Sequence, residues 1–312
     1  MNIQMAPMEG LTTYIYRNAH AKCFGKMDKY YTPFLSLHKE KEFNHKERQE
    51  ILAENNEGLQ VIPQVLTNSS EDFLRAAKKL QDLGYREINI NFGCPSGTVT
   101  TKEKGAGILA NPDRLQKFLE EVFEKADVNI SIKTRIGMES PDEWEKLLDI
   151  YNQYPIKELI IHARVRQDFY KNKPHLEAYE YARKYSKNPI CYNGDIFSLL
   201  DYQNLRNQFS DLDNLMLGRG VLSRPDLAND IYKYAGKANV KEITAKTMRN
   251  FHDEIFNGYQ EIMSGDQNVL FKMKELWTYM ISMYPEAEKQ QKMIRKAKKC
   301  VEYLRAVDEI LG

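Results

Sequence analysis

Cys94, Lys133, His162 and Arg219 lie far apart in the chain, yet each follows a short apolar run, and together they could hold a phosphorylated ligand and move a proton. Asn91-Phe92-Gly93-Cys94-Pro95 follows Ile88–Ile90, Lys133-Thr134-Arg135 follows Ile130–Ile132, and His162-Ala163-Arg164 follows Leu159–Ile161. Asn193-Gly194-Asp195 follows Cys191-Tyr192, and Gly218-Arg219-Gly220 follows Leu215–Leu217. A thiol with an ordinary pKa near ~8.5 is mostly protonated at neutral pH and can donate that proton. A glycine-flanked arginine after a strand can bind phosphate through backbone N–H groups and a charge-assisted pair. Lys133 adds a fixed cation, so phosphate at one end and positive charge at the other fits FMN. Singly, each motif has a packing role: a hydrogen-bonded core histidine, an Asn-Gly turn, a small buried thiol.

Such groups meet only if the runs before them are strands whose C-terminal ends share one mouth. Candidate strands are Ile3–Ala6, Lys29–Tyr31, Val61–Val65, Glu87–Asn91, Asn129–Thr134, Leu159–His162, Pro189–Asn193 and Asn214–Leu217. Between them, Glu71–Leu83, Asp113–Lys125, Pro141–Tyr154 and Leu199–Phe209 repeat apolar residues at helical spacing. Ser70 is the expected N-cap of the first of these, Pro141 suits a first helical turn, and Gly84 ends a helix. Alternating strands and helices predict a parallel sheet, and this number of strands favours a closed (β/α)8 TIM barrel. No G-x-G-x-x-G follows the first strand, which argues against a doubly wound dinucleotide fold.

After about Gly236 the strand-like runs stop. We expect a barrel domain over residues 1–236 and a small all-α bundle over 237–312, with helices near Thr244–Met263, Val269–Met283 and Ala287–Leu311. The chain's 312 residues exceed the roughly 250 of a typical barrel, which leaves room for that appendage. A formal net charge of +1 excludes nucleic-acid binding through bulk charge, so any RNA contact needs a local patch. Lys289, Lys292, Lys296 and Lys299, with Arg295 and Lys298, supply one; the plain alternative is a solvated helix face near a C-terminus. The cysteines are scattered and form no C-x-x-C pair, so neither a zinc site nor disulfides are expected. The opening stretch lacks a signal-peptide pattern and no apolar run approaches a membrane span, so a cytoplasmic protein is expected.

In this order the motifs resemble those of the bacterial tRNA-dihydrouridine synthases over nearly the whole chain. The matching stretches are Ala6-Pro7-Met8 with Gly10 and Thr12, Gln64 in Pro63-Gln64-Val65, the Asn91–Pro95 run, and Lys104-Gly105-Ala106-Gly107. The Lys133, His162, Asn193 and Gly218 motifs follow, and Lys272-Met273-Lys274 with Trp277 and Tyr279 resembles that family's tRNA-facing helix. The resemblance implies FMN on Ala6, Pro7 and Met8, with Gln64, Lys133 and His162 at its ring and ribityl groups. Asn193, Gly194, Asp195, Gly218 and Arg219 would hold its phosphate end.

By the same resemblance Asn91 and Arg135 would contact the target uracil, and Arg164 and Tyr170 would face the substrate. Flavin N5 would deliver a hydride to uracil C6, Cys94 a proton to C5, and NADPH or NADH would re-reduce the flavin. Lys272, Lys274, Lys292, Lys296 and Lys299 would hold tRNA. The target base has to leave its stack, so a flexible D-loop uridine is expected, acted on by a metal-free monomer. Val165-Arg166-Gln167 departs from the family's Thr-rich continuation. Two alternatives stay open: an FMN barrel acting on a free pyrimidine, like a dihydroorotate dehydrogenase, and a non-catalytic RNA-binding barrel.

Overall fold

In a parallel barrel, side chains alternate between the interior and the surrounding helices, so every second residue of a strand can carry chemistry. The computed structural model describes residues 1–37, 42–244 and 246–312. Its strands are β1 (Asn2–Met5), β2 (Lys29–Tyr31), β3 (Val61–Ile62), β4 (Gln64–Val65), β5 (Glu87–Phe92), β6 (Asn129–Gly137), β7 (Leu159–Val165), β8 (Ile190–Asn193) and β9 (Asn214–Leu217). They pair in parallel in the order β3-β2-β1-β9-β8-β7-β6-β5-β4. β3 and β4 are halves of the third strand expected over Val61–Val65. Pro63 divides them because it has no N–H for the ladder; its carbonyl still accepts from Asn89 N–H at 2.9 Å. The two ends of that strand order are thus adjacent in the chain, and the sheet is a (β/α)8 barrel.

Helices Tyr14–Phe24, Ser70–Asp82, Pro112–Lys125, Glu143–Tyr151, Leu176–Tyr185, Leu199–Gln208 and Leu227–Tyr234 run between or after the strands. The Ser70–Asp82 helix buries Phe73, Ala76, Ala77 and Leu80, an i, i+3, i+4, i+7 stripe facing the sheet. Its N-cap is Ser69, one residue before the expected Ser70. The cap needs non-helical backbone, which Ser69 has, and its hydroxyl accepts from Asp72 N–H at 3.2 Å. Gly84 ends the helix as expected, at φ 95°, with its N–H on Gln81 C=O. Pro141 falls in the turn before its helix, which starts at Glu143.

The barrel interior is layered. At the N-terminal ends of the strands, Gln4 Nε2 donates to both Glu158 oxygens at 2.9 Å, Tyr31 Oη donates to Gln4 Oε1 at 3.1 Å, and Lys29 Nζ lies 3.3 Å from Glu158 Oε2. Above this plug, Ala6, Tyr31, Ile62, Ile160, Cys191 and Met216 form an apolar cluster of their own. The C-terminal mouth above that is polar. Buried carboxylate and cation at the bottom satisfy each other, so the plug closes the barrel floor and leaves chemistry to the open end.

Helices Thr247–Ile262, Asp266–Met280, Glu288–Lys296 and Cys300–Leu311 follow. The third expected helix is therefore broken. Ala297 turns to φ −53°, ψ 131°, and Lys299 is an extended N-cap. Glu302 Oε2 accepts from Lys298 N–H at 2.8 Å, Asp266 accepts from Cys300 N–H at 2.8 Å, and Lys274 Nζ caps Ala297 C=O. Inside the bundle, Trp277 Nε1 donates to Tyr303 Oη at 2.8 Å, and His252 Nε2 lies 2.7 Å from the same oxygen. The Thr247–Ile262 helix packs on Tyr14–Phe24: Phe251 meets the rings of Tyr16 and Phe24 edge-on, and Thr13 bonds Tyr259. Among the described residues no helix is long and apolar enough to cross a membrane.

Candidate functional site

Strand register brings the motifs to one end of the barrel. Asn91 on β5 pairs with Lys133 on β6, Arg135 with His162 on β7, and His162 with Asn193 on β8, which pairs with Met216 on β9. Two adjoining cavities open there and share Pro7, Met8, Lys133, His162 and Tyr170 as walls. One continues to Ala6, Asn193, Gly194, Asp195, Gly218 and Arg219. The other continues to Asn91, Gly93, Cys94, Pro95 and Arg135, with Glu9 and Phe34 opposite. A larger, mostly apolar groove lies outside the mouth, beside Tyr14, Ile262 and Lys272, and holds none of the barrel motifs.

The thiol compartment is built on a chain of amides. Asn89 Nδ2 donates to Ser131 Oγ, Gln64 Nε2 to Asn89 Oδ1 at 2.8 Å, and Asn91 Nδ2 to Gln64 Oε1 at 2.7 Å. Asn91 Oδ1 then accepts from Gly93 and Cys94 N–H at 3.0 and 2.9 Å, which fixes the loop carrying the thiol. Gln64 is fully buried beneath the cavities and lines neither. Gly105 and Gly107 press the next loop against this one: a Cβ at Gly105 would lie 2.9 Å from Cys94 Cβ, and one at Gly107 would lie 2.7 Å from Thr100 C=O. Burial pushes the Cys94 thiol above its usual range, so it carries its proton at neutral pH.

Arg135 is fully buried and braces three loops, donating to the carbonyls of Gly93 (2.9 Å), Val165 (2.8 Å) and Phe169 (2.8 Å). Most of its donor capacity is committed to the backbone, although its side chain also lines the thiol cavity. Arg164 is likewise buried and lines neither cavity. It donates to Asn172 C=O and, in a bidentate pair, to Asp195; Arg219 donates to the same carboxylate. Asp195 therefore faces two guanidinium groups, and Arg219 lies between the rings of Tyr170 and Phe197.

Lys133 has no acceptor among the described residues. Burial, and then repulsion from Arg135, lower its pKa to about 8. His162 is held well below its usual range, chiefly by burial and then by Arg135, Lys133 and other cations around it. Its Nε2 accepts from Arg164 at 3.2 Å, which assigns the remaining proton to Nδ1. At the other end, the N–H groups of Asp195, Arg219 and Gly220 find no backbone acceptor among the described residues. Gly194 and Gly220 are fixed by close approach, since a Cβ would fall 2.1 Å from Tyr192 Oη and 1.9 Å from Ile196 C=O. The mouth thus offers cation and N–H donors at one end, N–H donors and arginine at the other, and a protonated thiol beside them.

The C-terminal lysines divide. Lys272 Nζ donates to Gly10 C=O at 2.9 Å and ties its helix to the loop after β1, while Lys274 is spent on Ala297. Lys292, Lys296 and Lys299 are exposed, although the break at Ala297 puts Lys299 off the helix that carries the other two. Sequence reasoning missed Asn89, whose parity with Asn91 pointed inward, and Arg166, which donates to Pro95 C=O at 3.2 Å.

Comparison with known proteins adds independent findings. The dihydrouridine synthase (Dus) family model matches residues 4–310. A tRNA-dihydrouridine(16) synthase of Pseudomonas putida is 30% identical over 239 residues, 74% of this chain and 73% of that protein. One of Pseudomonas syringae pv. tomato is 26% identical over 309 residues, 96% of both chains. Among solved structures, the old yellow enzyme homologue of Zymomonas mobilis superimposes with a TM-score of 0.52 at 13% identity, over 79% of this chain and 91% of that one, a likeness of fold alone.

Proposed function

This chain belongs to the dihydrouridine synthase family, and from that premise we propose that it reduces the C5=C6 bond of a D-loop uridine in tRNA, with FMN as cofactor and NADPH or NADH as reductant. The observation that carries the proposal is the unpaired, half-buried Lys133 ammonium in the wall shared by the two cavities, beside a protonated thiol. A cation partly withdrawn from water without a partner is costly, and an anionic or strongly polar ligand ring offsets that cost. At the far end, Arg219 and the open N–H groups of Asp195, Arg219 and Gly220 suit a phosphate. These residues fit FMN. Lys133 and His162 would hold its ring over Ala6, Pro7 and Met8, and Asn193, Gly194, Gly218 and Arg219 its phosphate side. Asp195 would act by aiming Arg219, and Gln64 by fixing Asn91 and the thiol loop.

When bound, the reduced cofactor would supply a hydride, that is an electron pair with one hydrogen, and a separate proton would complete saturation of the uracil C5=C6 bond. Cys94 holds that proton. Its loop is anchored by Asn91 and pressed by Gly105, so the thiol keeps one position while the base arrives. Such positioned proton donors contribute about 10²- to 10⁴-fold in rate. Arg135 would secure the loops around the base, with its remaining N–H groups facing the uracil edge, and Tyr170 would cover the junction of the two cavities.

Residues 1–236 would form the catalytic barrel and residues 237–312 the tRNA-binding helices. Lys292, Lys296 and Lys299 would meet phosphates, and Lys272 would hold the helical part to the mouth. Mapping dihydrouridine in tRNA from cells lacking the gene, before and after its return, tests the proposal. One site lost and then restored is the expected result; an unchanged modification map would refute it.

A further inference from the structure

The turn from Asp168 to Lys171 carries an aromatic residue where glycine is the usual choice. Phe169 sits at φ 49°, ψ −100°, close to the first central position of a type II′ turn, and Lys171 N–H closes the turn on Asp168 C=O at 2.9 Å. Positive φ strains a bulky residue. Core packing does not compensate, because Phe169 remains 39% exposed. Its ring lies over the Arg166 guanidinium at 5.0 Å, and Arg166 is tied to Pro95, next to Cys94. Its carbonyl is held by Arg135. A strained turn therefore fixes a cation-backed ring next to Tyr170, Arg135 and Pro95, which line the thiol cavity.

We propose that Phe169 is a stacking platform for the nucleobase adjacent to the target uridine. This inference rests on the tRNA function proposed above. A base that leaves its stack to reach the recessed thiol uncovers the face of its neighbour. An aromatic ring accepts the face of any base, and the guanidinium behind it strengthens the contact. Phe169 touches neither the thiol nor the phosphate end, so it acts on binding and on which uridine is presented.

The test compares Phe169→Ala, Phe169→Trp and Phe169→Gly holoenzymes on unmodified tRNA transcripts. Phe169→Ala should raise KM for tRNA about tenfold, and Phe169→Trp should restore it. Flavin content and its reduction by NADPH should stay unchanged. Phe169→Gly should raise KM as the alanine does, yet raise Tm by about 2–4 °C because the turn strain is relieved, a split that a merely structural residue would not give. On a transcript abasic beside the target, wild type and Phe169→Ala should converge. Wild-type product formation with an unchanged KM in Phe169→Ala, or the full KM penalty on transcripts abasic at either neighbour, would overturn the platform alone. Absence of dihydrouridine with wild type on every tRNA would instead overturn the parent proposal.

Discussion

Replacing Lys133 with methionine should stabilise the flavin-free protein while weakening its hold on FMN. The half-buried ammonium has no partner and sits near Arg135, and its pKa falls from the ordinary 10.5 to about 8. That shift corresponds to about 3 kcal/mol held against folding below pH 8, and the side chain's partial exposure reduces the usable figure to about 2 kcal/mol. The sign follows from proton counts. Between pH 8 and 10.5 the native protein releases this proton while the unfolded chain keeps it, so wild-type stability gains from Lys133 as pH rises through that window. Lys133→Met should therefore be more stable than wild type by about 2 kcal/mol at pH 7, with the gap closing toward pH 10.5. Urea unfolding of flavin-stripped protein at both pH values reads the difference, and absorbance after gel filtration reads retained flavin. A variant less stable at pH 7, or a gap independent of pH, would refute the picture of an ammonium waiting for its ligand.

Asp195→Ala should lower stability by about 3–5 kcal/mol, because Arg164 is buried and would lose its bidentate partner; thermal unfolding of the flavin-free protein checks this. Reversing Lys292, Lys296 and Lys299 together to glutamate should raise KM for tRNA and flatten its dependence on salt by about two units or more of log–log slope, with flavin reduction untouched. An unchanged KM would return those lysines to an ordinary solvated surface.

Much of the barrel was legible because strand parity is local. Asn91, Lys133, His162 and Asn193 all stand at or near the ends of apolar runs, and each reaches the mouth. What the guanidinium groups do there was not legible. Arg135 and Arg164 look like ligand contacts by position, and the structure adds that most of their donors brace carbonyls and a carboxylate from other loops. The glycines at 194 and 220 are also required by the close approach of a tyrosine oxygen and a carbonyl, which no local pattern announces. The last helix broke for a similar reason. Ala297 and its neighbours favour helix locally, whereas Asp266 and Lys274 from another segment cap the two ends of the break. Phe169 carried no sequence signal at all, since only the backbone reveals that it occupies a glycine position.

The central claim is that Cys94 gives its proton to a uracil reduced in this mouth, and a single-turnover experiment tests it most directly. Anaerobically reduced wild-type and Cys94→Ala enzymes would be mixed with unmodified tRNA, following flavin absorbance and dihydrouridine together. Wild type should reoxidise and form product in step, while Cys94→Ala keeps its flavin, accepts electrons from NADPH, and then reoxidises on tRNA at least about 100-fold more slowly. Equal reoxidation and product yield in the two proteins would contradict the account.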